Sequence, residues 1–328
     1  INRGRQYGKT TTLYHLANKL SDNYVVFSIS FESLPKSDFE TNEKLAFAFL
    51  REIKSAIDNE NINNLNNEVK TLIHNILEDN KENGTIKFAD LSDTIINICK
   101  SSASPIVIFI DEVDNASNYD SFIELLRMLR DKYLKRKKVA TFQSVILAGV
   151  YDIKNLKLKV RPDSEHQYNS PWNIAERFDE DMSFSVEQIS QMLSDYENDH
   201  KTGMNISEIA SLIHDYTSGY PFLTSKICLL IDEENLGWNK DGVLNAVKML
   251  LKERCTLFVE FFDLMEIYPP LKKVIEKLVD GQYISYNNYA DGLNIATTFN
   301  IVSDDNGQAK ISNKIFETGF KNYFDSEK

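Results

Sequence analysis

Cysteine is scarce in this chain, with 3 in 328 residues. Cys99, Cys228 and Cys255 are far apart and fall in helical-looking stretches. Neither a disulfide framework nor a thiolate metal site is expected, and the usage fits a reducing cytoplasm. The 5 histidines show no ligand spacing either. No apolar run is long enough to cross a bilayer and no signal peptide is visible, so no membrane role is expected. Basic charge is also short. The 37 Lys and Arg face 49 Asp and Glu, a net charge of −12. That balance favours solubility and discourages indiscriminate nucleic-acid binding. The remainder is that of a globular protein, 42% hydrophobic and 26% charged. A chain of this length exceeds one ordinary core, and two or three domains are expected.

The most informative segment is Arg3-Gly4-Arg5-Gln6-Tyr7-Gly8-Lys9-Thr10-Thr11. Glycine, lysine and hydroxyl in direct succession, followed by a helical pattern, suit a phosphate cradle. Backbone N–H groups at a helix start attract anionic oxygen. The Lys9 ammonium can reach β- and γ-phosphates, and the Thr10 hydroxyl can ligate Mg²⁺. Residues Gly4 to Thr11 are the candidate nucleotide contacts. The usual pattern has glycine where this chain has Arg3, and an ordinary helix start is the competing reading. Only Ile1 and Asn2 precede the cradle, whereas such a loop ordinarily leaves a sheet strand. An upstream strand, the middle member of the sheet, is therefore expected in the natural protein.

A second segment strengthens the first. Ile106-Val107-Ile108-Phe109-Ile110 is a β-branched and aromatic run that ends in Asp111-Glu112-Val113-Asp114. Such a run reads as a strand buried on both faces. Carboxylates at its carboxyl end stand where ligands bind in open α/β sheets. Asp111 is then expected to hold Mg²⁺ and Glu112 to act as general base toward water. The alternative is a core strand with a polar exit.

The rest of the chain supplies a framework. Leu13, Leu16, Ala17 and Leu20 mark an amphipathic helix over 11–20. Tyr24 to Ser30 reads as a strand, with Glu32 just beyond it as a contact to substrate or water, or as a loop cap. Residues 40–100 are mostly helical, interrupted by the asparagine-rich stretch 59–67. A helix over 120–133 turns Phe122, Leu125, Leu126 and Leu129 inward. Ser144 to Gly149 is a further buried strand. It ends in Ala148-Gly149, where a polar γ-phosphate sensor would be useful, and Asp152 is the nearest polar substitute. Arg177 can complete a nucleotide site in cis or in trans, or pair with a surface carboxylate. Met182-Ser183-Phe184 is read as the last strand, and Ser185 with Gln188 as a capping box. Helices follow to about 254, broken by the turn Thr217-Ser218-Gly219-Tyr220-Pro221. Asn306-Gly307 marks a hairpin in the tail.

The chain resembles AAA-like bacterial ATPases close to the archaeal ATPase and STAND branches of the P-loop superfamily. The likeness is carried by R-G-R-Q-Y-G-K-T-T at 3–11, I-V-I-F-I-D-E-V-D at 106–114, V-I-L-A-G-V-Y-D at 145–152, N-I-A-E-R-F at 173–178, T-S-G-Y-P-F at 217–222 and I-S-N-K-I-F-E-T at 311–318. Only the first two are specific for chemistry. The family tolerates arginine at the first position of the loop. The resemblance implies an α/β fold with an ASCE-type parallel sheet as core (1–184), a helical lid (185–254) and a winged helix (255–328). It implies ATP with Mg²⁺ and a regulated hydrolytic or switching role. Relatives often continue into a nuclease-like domain. This chain stops at Lys328 without one, and no nuclease activity is expected.

Three functions compete. The first is an ATPase whose nucleotide state moves the lid and winged helix. The second is a nucleotide-gated interaction switch with little hydrolysis, favoured by the missing sensor. The third is a DNA-binding regulator. Residues 255–328 carry seven lysines, no arginine and eleven carboxylates. That acidity disfavours the phosphate backbone and favours a protein partner or self-association.

Overall fold

The computed structural model describes residues 1–59, 65–150, 174–176, 178, 180–253, 255–287 and 290–327. Asp152 and Arg177, both named above as accessory candidates, lie outside the described residues. The chain forms two compact units. One comprises Ile1–Asn2 and Lys9–Phe178, the other Arg3–Gly8 and Asp179–Lys328.

The first unit is a parallel sheet covered by helices. Its described elements are α1 (Lys9–Leu20), β1 (Val25–Ser30), α2 (Asn42–Asn59), α3 (Asn67–Asp79), α4 (Phe88–Ser101), β2 (Ile106–Asp111), α5 (Asp120–Lys135) and β3 (Ser144–Leu147). The strands run β1-β2-β3, both pairs parallel, with Ser30 opposite Asp111 and Ile110 opposite Leu147. Every residue of β2 is buried, so its alternate side chains serve two cores. Ile106, Ile108 and Ile110 join Phe49, Ile53, Leu91 and Leu126 on one face. Val107 and Phe109 meet Leu13 of α1 on the other, with Leu16, Ala17 and Leu20 packed against them. Burying a large aliphatic or aromatic side chain stabilises by about 1.5–3 kcal/mol. The unbroken apolar run is therefore what places β2 centrally and α1 upon it. Beside the end of β3, Asn2 and Gly149 form a parallel bridge, and the Gly149 N–H donates to the Ile1 carbonyl at 3.0 Å.

The second unit is mainly helical. After Ser185 come α6 (Val186–His200), α7 (Ile206–Thr217), α8 (Pro221–Glu233) and α9 (Lys240–Lys252). Then follow α10 (Thr256–Ile267), α11 (Pro269–Val279), α12 (Asp291–Thr298), β4 (Val302–Asp305), β5 (Gln308–Ile311) and α13 (Lys314–Glu327). The capping box forms: Ser185 accepts from the Gln188 N–H while the Gln188 side chain accepts from the Ser185 N–H. Asn306 and Gly307, at φ +53° and +86°, make the two-residue hairpin turn between β4 and β5. Ser285 bridges Gln308, so a short third segment flanks the hairpin. Phe258, Phe261, Phe316 and Phe320 stack edge-on or tilted between α10 and α13.

One expectation fails. Residues 182–184 form no strand. The Phe184 N–H instead donates to the Gly219 carbonyl at 2.8 Å, in the turn between α7 and α8. That turn is tightly built. The Thr217 hydroxyl donates to the Ile213 carbonyl (2.9 Å) and accepts the Gly219 N–H (3.1 Å). Gly219 has φ +72°, and a Cβ there would lie 2.0 Å from the Phe184 carbonyl oxygen.

Gly219 and Gly307 make a paired test. Both have positive φ, but nothing lies within 4 Å of a Cβ at Gly307. Gly307→Ala is expected to cost about 1 kcal/mol of stability from backbone strain alone. Gly219→Ala adds overlap with main chain and is expected to cost about 3 kcal/mol or more. Thermal melts of the two variants should show this order, and equal midpoint shifts would contradict the packing described.

Candidate functional site

The run 106–110 ends at Asp111, and there a side chain of α1 meets the end of β2. The Thr10 hydroxyl donates to Asp111 Oδ2 at 2.6 Å. The other carboxylate oxygen, Oδ1, accepts the Glu112 N–H at 2.9 Å. Asp111 is 7% exposed and Lys9, the first residue of α1, is 5% exposed. Burying a carboxylate is costly unless donors surround it, and these two donors supply that compensation. Lys9, Thr10 and Asp111, proposed from sequence, thus belong to one place in the first unit. Thr11 is exposed on the first turn of α1.

Glu112 has φ +52° and ψ +41°, a left-handed conformation uncommon for a residue with a side chain. It turns the chain out of β2 into the short 3₁₀ turn Val113–Ala116. The Glu112 side chain is half-buried. Strain of this kind persists where surrounding structure fixes it. Here Phe31 N–H bonds to the Asp111 carbonyl and Val113 N–H to the Ala148 carbonyl, at 3.0 and 3.1 Å. The two bonds pin the residues on both sides of the turn.

Asp114 closes the D-E-V-D run. Its carboxylate accepts the Val150 N–H. A Cβ on Gly149 would lie 2.9 Å from Asp114 Oδ2. Glycine is therefore needed at 149 for Asp114 to reach the chain as it leaves β3. The spelling D-E-V-D places a second carboxylate three residues after Asp111, and that is the signal available from sequence. Ala148 is fully buried, and no polar side chain occupies the end of β3 at 148 or 149. Glu32 is exposed beyond β1, its N–H bonded to Ser30 Oγ at 3.2 Å.

The segment Arg3–Gly8 belongs to the second unit, and the chain passes into the first between Gly8 and Lys9. Gln6 and Gly8 have φ +55° and +76°. Within the second unit the segment is held at many points. Arg3 donates to the Glu180 carbonyl (2.6 Å), and Arg5 pairs with Glu260 (2.9 Å). Gln6 Nε2 donates to Thr256 Oγ1 at 3.1 Å, and the Tyr7 hydroxyl bonds Ser183 Oγ at 2.5 Å. The main chain of the segment is held as well: the Gly4 N–H donates to Asn300 Oδ1 (2.9 Å) and the Tyr220 hydroxyl to the Arg5 carbonyl (2.6 Å). The Tyr7 and Tyr220 rings meet edge-on at 4.7 Å. Burial pushes both phenols above the ordinary tyrosine range, so both remain protonated at neutral pH, and Tyr220 donates to the Arg5 carbonyl. Sequence reading found none of these partners of the loop.

Among the described residues, no group of three or more His, Cys, Asp or Glu could hold a metal by itself. Thr10 and Asp111 form a hard-oxygen pair. Such a pair suits Mg²⁺, which keeps several waters and takes oxygens from a bound phosphate. No helix among the described residues is long and apolar enough to cross a membrane.

A family model described as "AAA-like domain" matches residues 1–265. Among solved structures, the chain is similar to the Walker-type ATPase paby2304 of Pyrococcus abyssi. The two share 14% identity with a TM-score of 0.65, over 97% of this chain and 89% of that one. It is also similar to the ORC2 protein of Aeropyrum pernix, solved as ADPNP-ADP complexes. That match has 11% identity and a TM-score of 0.50, over 99% of this chain and 88% of that one. At these identities the likeness is one of fold: α/β, with the parallel sheet of P-loop ATPases. No curated protein matches the chain.

The Thr10–Asp111 bond makes its own prediction. Thr10→Val removes a donor to a buried carboxylate and is expected to destabilise the ligand-free protein by about 1.5–3 kcal/mol. Thr10→Ser keeps the hydroxyl and should retain most of that stability. Denaturation of both variants without nucleotide checks the pair.

Proposed function

We propose, for a chain that belongs to the AAA-like domain family, that it binds ATP with Mg²⁺ at Lys9, Thr10 and Asp111 and hydrolyses it. The observation that carries this reading is the 2.6 Å bond from the Thr10 hydroxyl to Asp111. It joins the two sequence segments that separately suggested phosphate chemistry. The family membership and the P-loop ATPase fold support it.

In this reading the segment from Gly4 to Thr11 offers main-chain N–H groups to the phosphates at the start of α1, apart from the Gly4 N–H, which Asn300 Oδ1 takes up. Lys9 places its ammonium against the β- and γ-phosphates, where charge builds as the terminal phosphoryl leaves. Thr10 and Asp111 would hold Mg²⁺, which when bound neutralises charge on the phosphate oxygens. Glu112 accepts a proton from the water that attacks γ-phosphorus in line. The bond to the bridging oxygen breaks, and ADP and phosphate result. Residues 1–184 form the ATPase core, 185–254 a helical lid and 255–328 a winged helix. The bound nucleotide drives movement of the lid and winged helix.

A second reading rests on β3. With Ala148 buried and Gly149 beside Asp114, the strand offers no side chain to sense the γ-phosphate. The protein is then a nucleotide-gated interaction switch that hydrolyses slowly. In either case the acidic 255–328 segment suits a protein partner or a second copy better than DNA. The free cysteines 99, 228 and 255 fit a cytoplasmic setting.

Lys9→Ala is expected to weaken ATP binding by about 2–4 kcal/mol, at least thirtyfold in Kd, since a charge-assisted contact is lost. Unchanged affinity by calorimetry would remove Lys9 from the site. Asp111→Ala should abolish the Mg²⁺ dependence of that binding. Glu112→Gln should keep ATP affinity while steady-state turnover falls by about 10²–10⁴. If parent and Glu112→Gln are equally slow while ATP still raises Tm, the switch reading replaces the hydrolase.

A further inference from the structure

Several contacts to Arg3–Gly8 end on its side chains. Those from Tyr220 and Asn300 end on its main chain. The difference matters because a phosphate loop works through its backbone. A trans peptide is planar, so its C=O and the next N–H point in opposite directions. The described chain has no cis peptide. The Tyr220 hydroxyl, at 2.6 Å, fixes the direction of the Arg5 carbonyl. It thereby aims the Gln6 N–H to the side away from Tyr220. Asn300, at 2.9 Å, fixes the Gly4 N–H in the same way. Both anchors are themselves held. Tyr220 is 3% exposed and wedged between Tyr7 and Phe316, ring centroids at 4.7 and 5.3 Å. Asn300 has φ +56° just beyond α12, a conformation asparagine tolerates. A Cβ on Gly4 would lie 2.8 Å from the Phe299 carbonyl oxygen, so the loop lies close against this backbone.

We propose that Tyr220 and Asn300 are positioning residues for nucleotide binding, which set the peptide orientations of the loop before Lys9. The proposal rests on the phosphate reading given above. Neither residue touches the nucleotide. Each acts by aiming main-chain groups, the Gln6 N–H above all, so that ATP meets an ordered cradle.

The test uses the full chain and three substitutions. Tyr220→Phe keeps the ring and removes the hydroxyl. Asn300→Gly keeps the backbone conformation and removes the acceptor. Thr256→Val removes a contact to the Gln6 side chain only and serves as the comparison. Kd for MgATP is measured by calorimetry, Tm without nucleotide by calorimetric scan, and amide hydrogen exchange over residues 4–8 by mass spectrometry. Loss of one hydrogen bond of ordinary strength corresponds to about fivefold. Tyr220→Phe and Asn300→Gly are each expected to raise Kd by about that factor and to speed exchange over 4–8. Thr256→Val should bind ATP as the parent does, and Tm without nucleotide should fall by a similar small amount in all three, since each loses one hydrogen bond. Parental or tighter ATP binding by Tyr220→Phe and Asn300→Gly would overturn the proposal, as would an equal loss in Thr256→Val. If the parent itself fails to bind ATP, the phosphate reading falls and takes this inference with it, a result distinct from loss confined to the variants.

Discussion

One hydrogen bond organises the first unit's chemistry: the Thr10 hydroxyl on the buried carboxylate of Asp111. It requires α1 to start where β2 ends. That in turn requires the apolar stripe of α1 to lie on Val107 and Phe109, the second face of β2. The first face is already committed to Phe49, Ile53 and Leu126. The continuous hydrophobic run is thus the cause of the meeting, because only a strand buried on both sides has helices on both sides. The carboxylate is the first polar residue after that run, so it falls at the rim of the sheet. There the protein supplies donors for it from Thr10 and from the Glu112 N–H.

Around that bond the backbone is arranged with little slack. Glu112 takes a left-handed conformation, and Asp114 reaches the Val150 N–H through space left by Gly149. The same aspartate-glutamate-valine-aspartate run therefore contributes three different things. Asp111 accepts from Thr10, Glu112 turns the chain, and Asp114 secures the exit of the neighbouring strand. A side chain at 149 would conflict with the last of these. The bare end of β3 thus has a steric reason, independent of any sensing role.

What could be read from sequence was local. The stripe Leu13, Leu16, Ala17 and Leu20 located α1 to within two residues of its observed start at Lys9. The run 106–110 gave β2, Ser185 with Gln188 gave the capping box, and Asn306-Gly307 gave the hairpin. Each depends on spacing within one turn or one strand. The short apolar-edged stretch 182–184 misled for the same reason. A three-residue pattern cannot distinguish a strand from an extended segment bonded to Gly219. The grip on residues 3–8 left no local trace. Tyr220 and Asn300 lie 215 and 296 positions from their partners in the loop, and no periodicity connects them. Tyr220 does stand inside the T-S-G-Y-P-F string at 217–222, but nothing in that string indicates that its hydroxyl is turned to Arg5.

The assignment of Arg3–Gly8 to the second unit has a topological consequence. The polypeptide crosses between units after Asn2, after Gly8 and again near Phe178. The units are laced rather than joined by a single tether. A protease cut near Phe178 would leave two covalent links intact. A fragment beginning at Asp179 would lack six residues of its own folding unit, with the Tyr220 hydroxyl and the Asn300 amide robbed of their acceptor and donor. Dissection of this protein into autonomous pieces would therefore have to follow its folding units rather than the linear order of its chain.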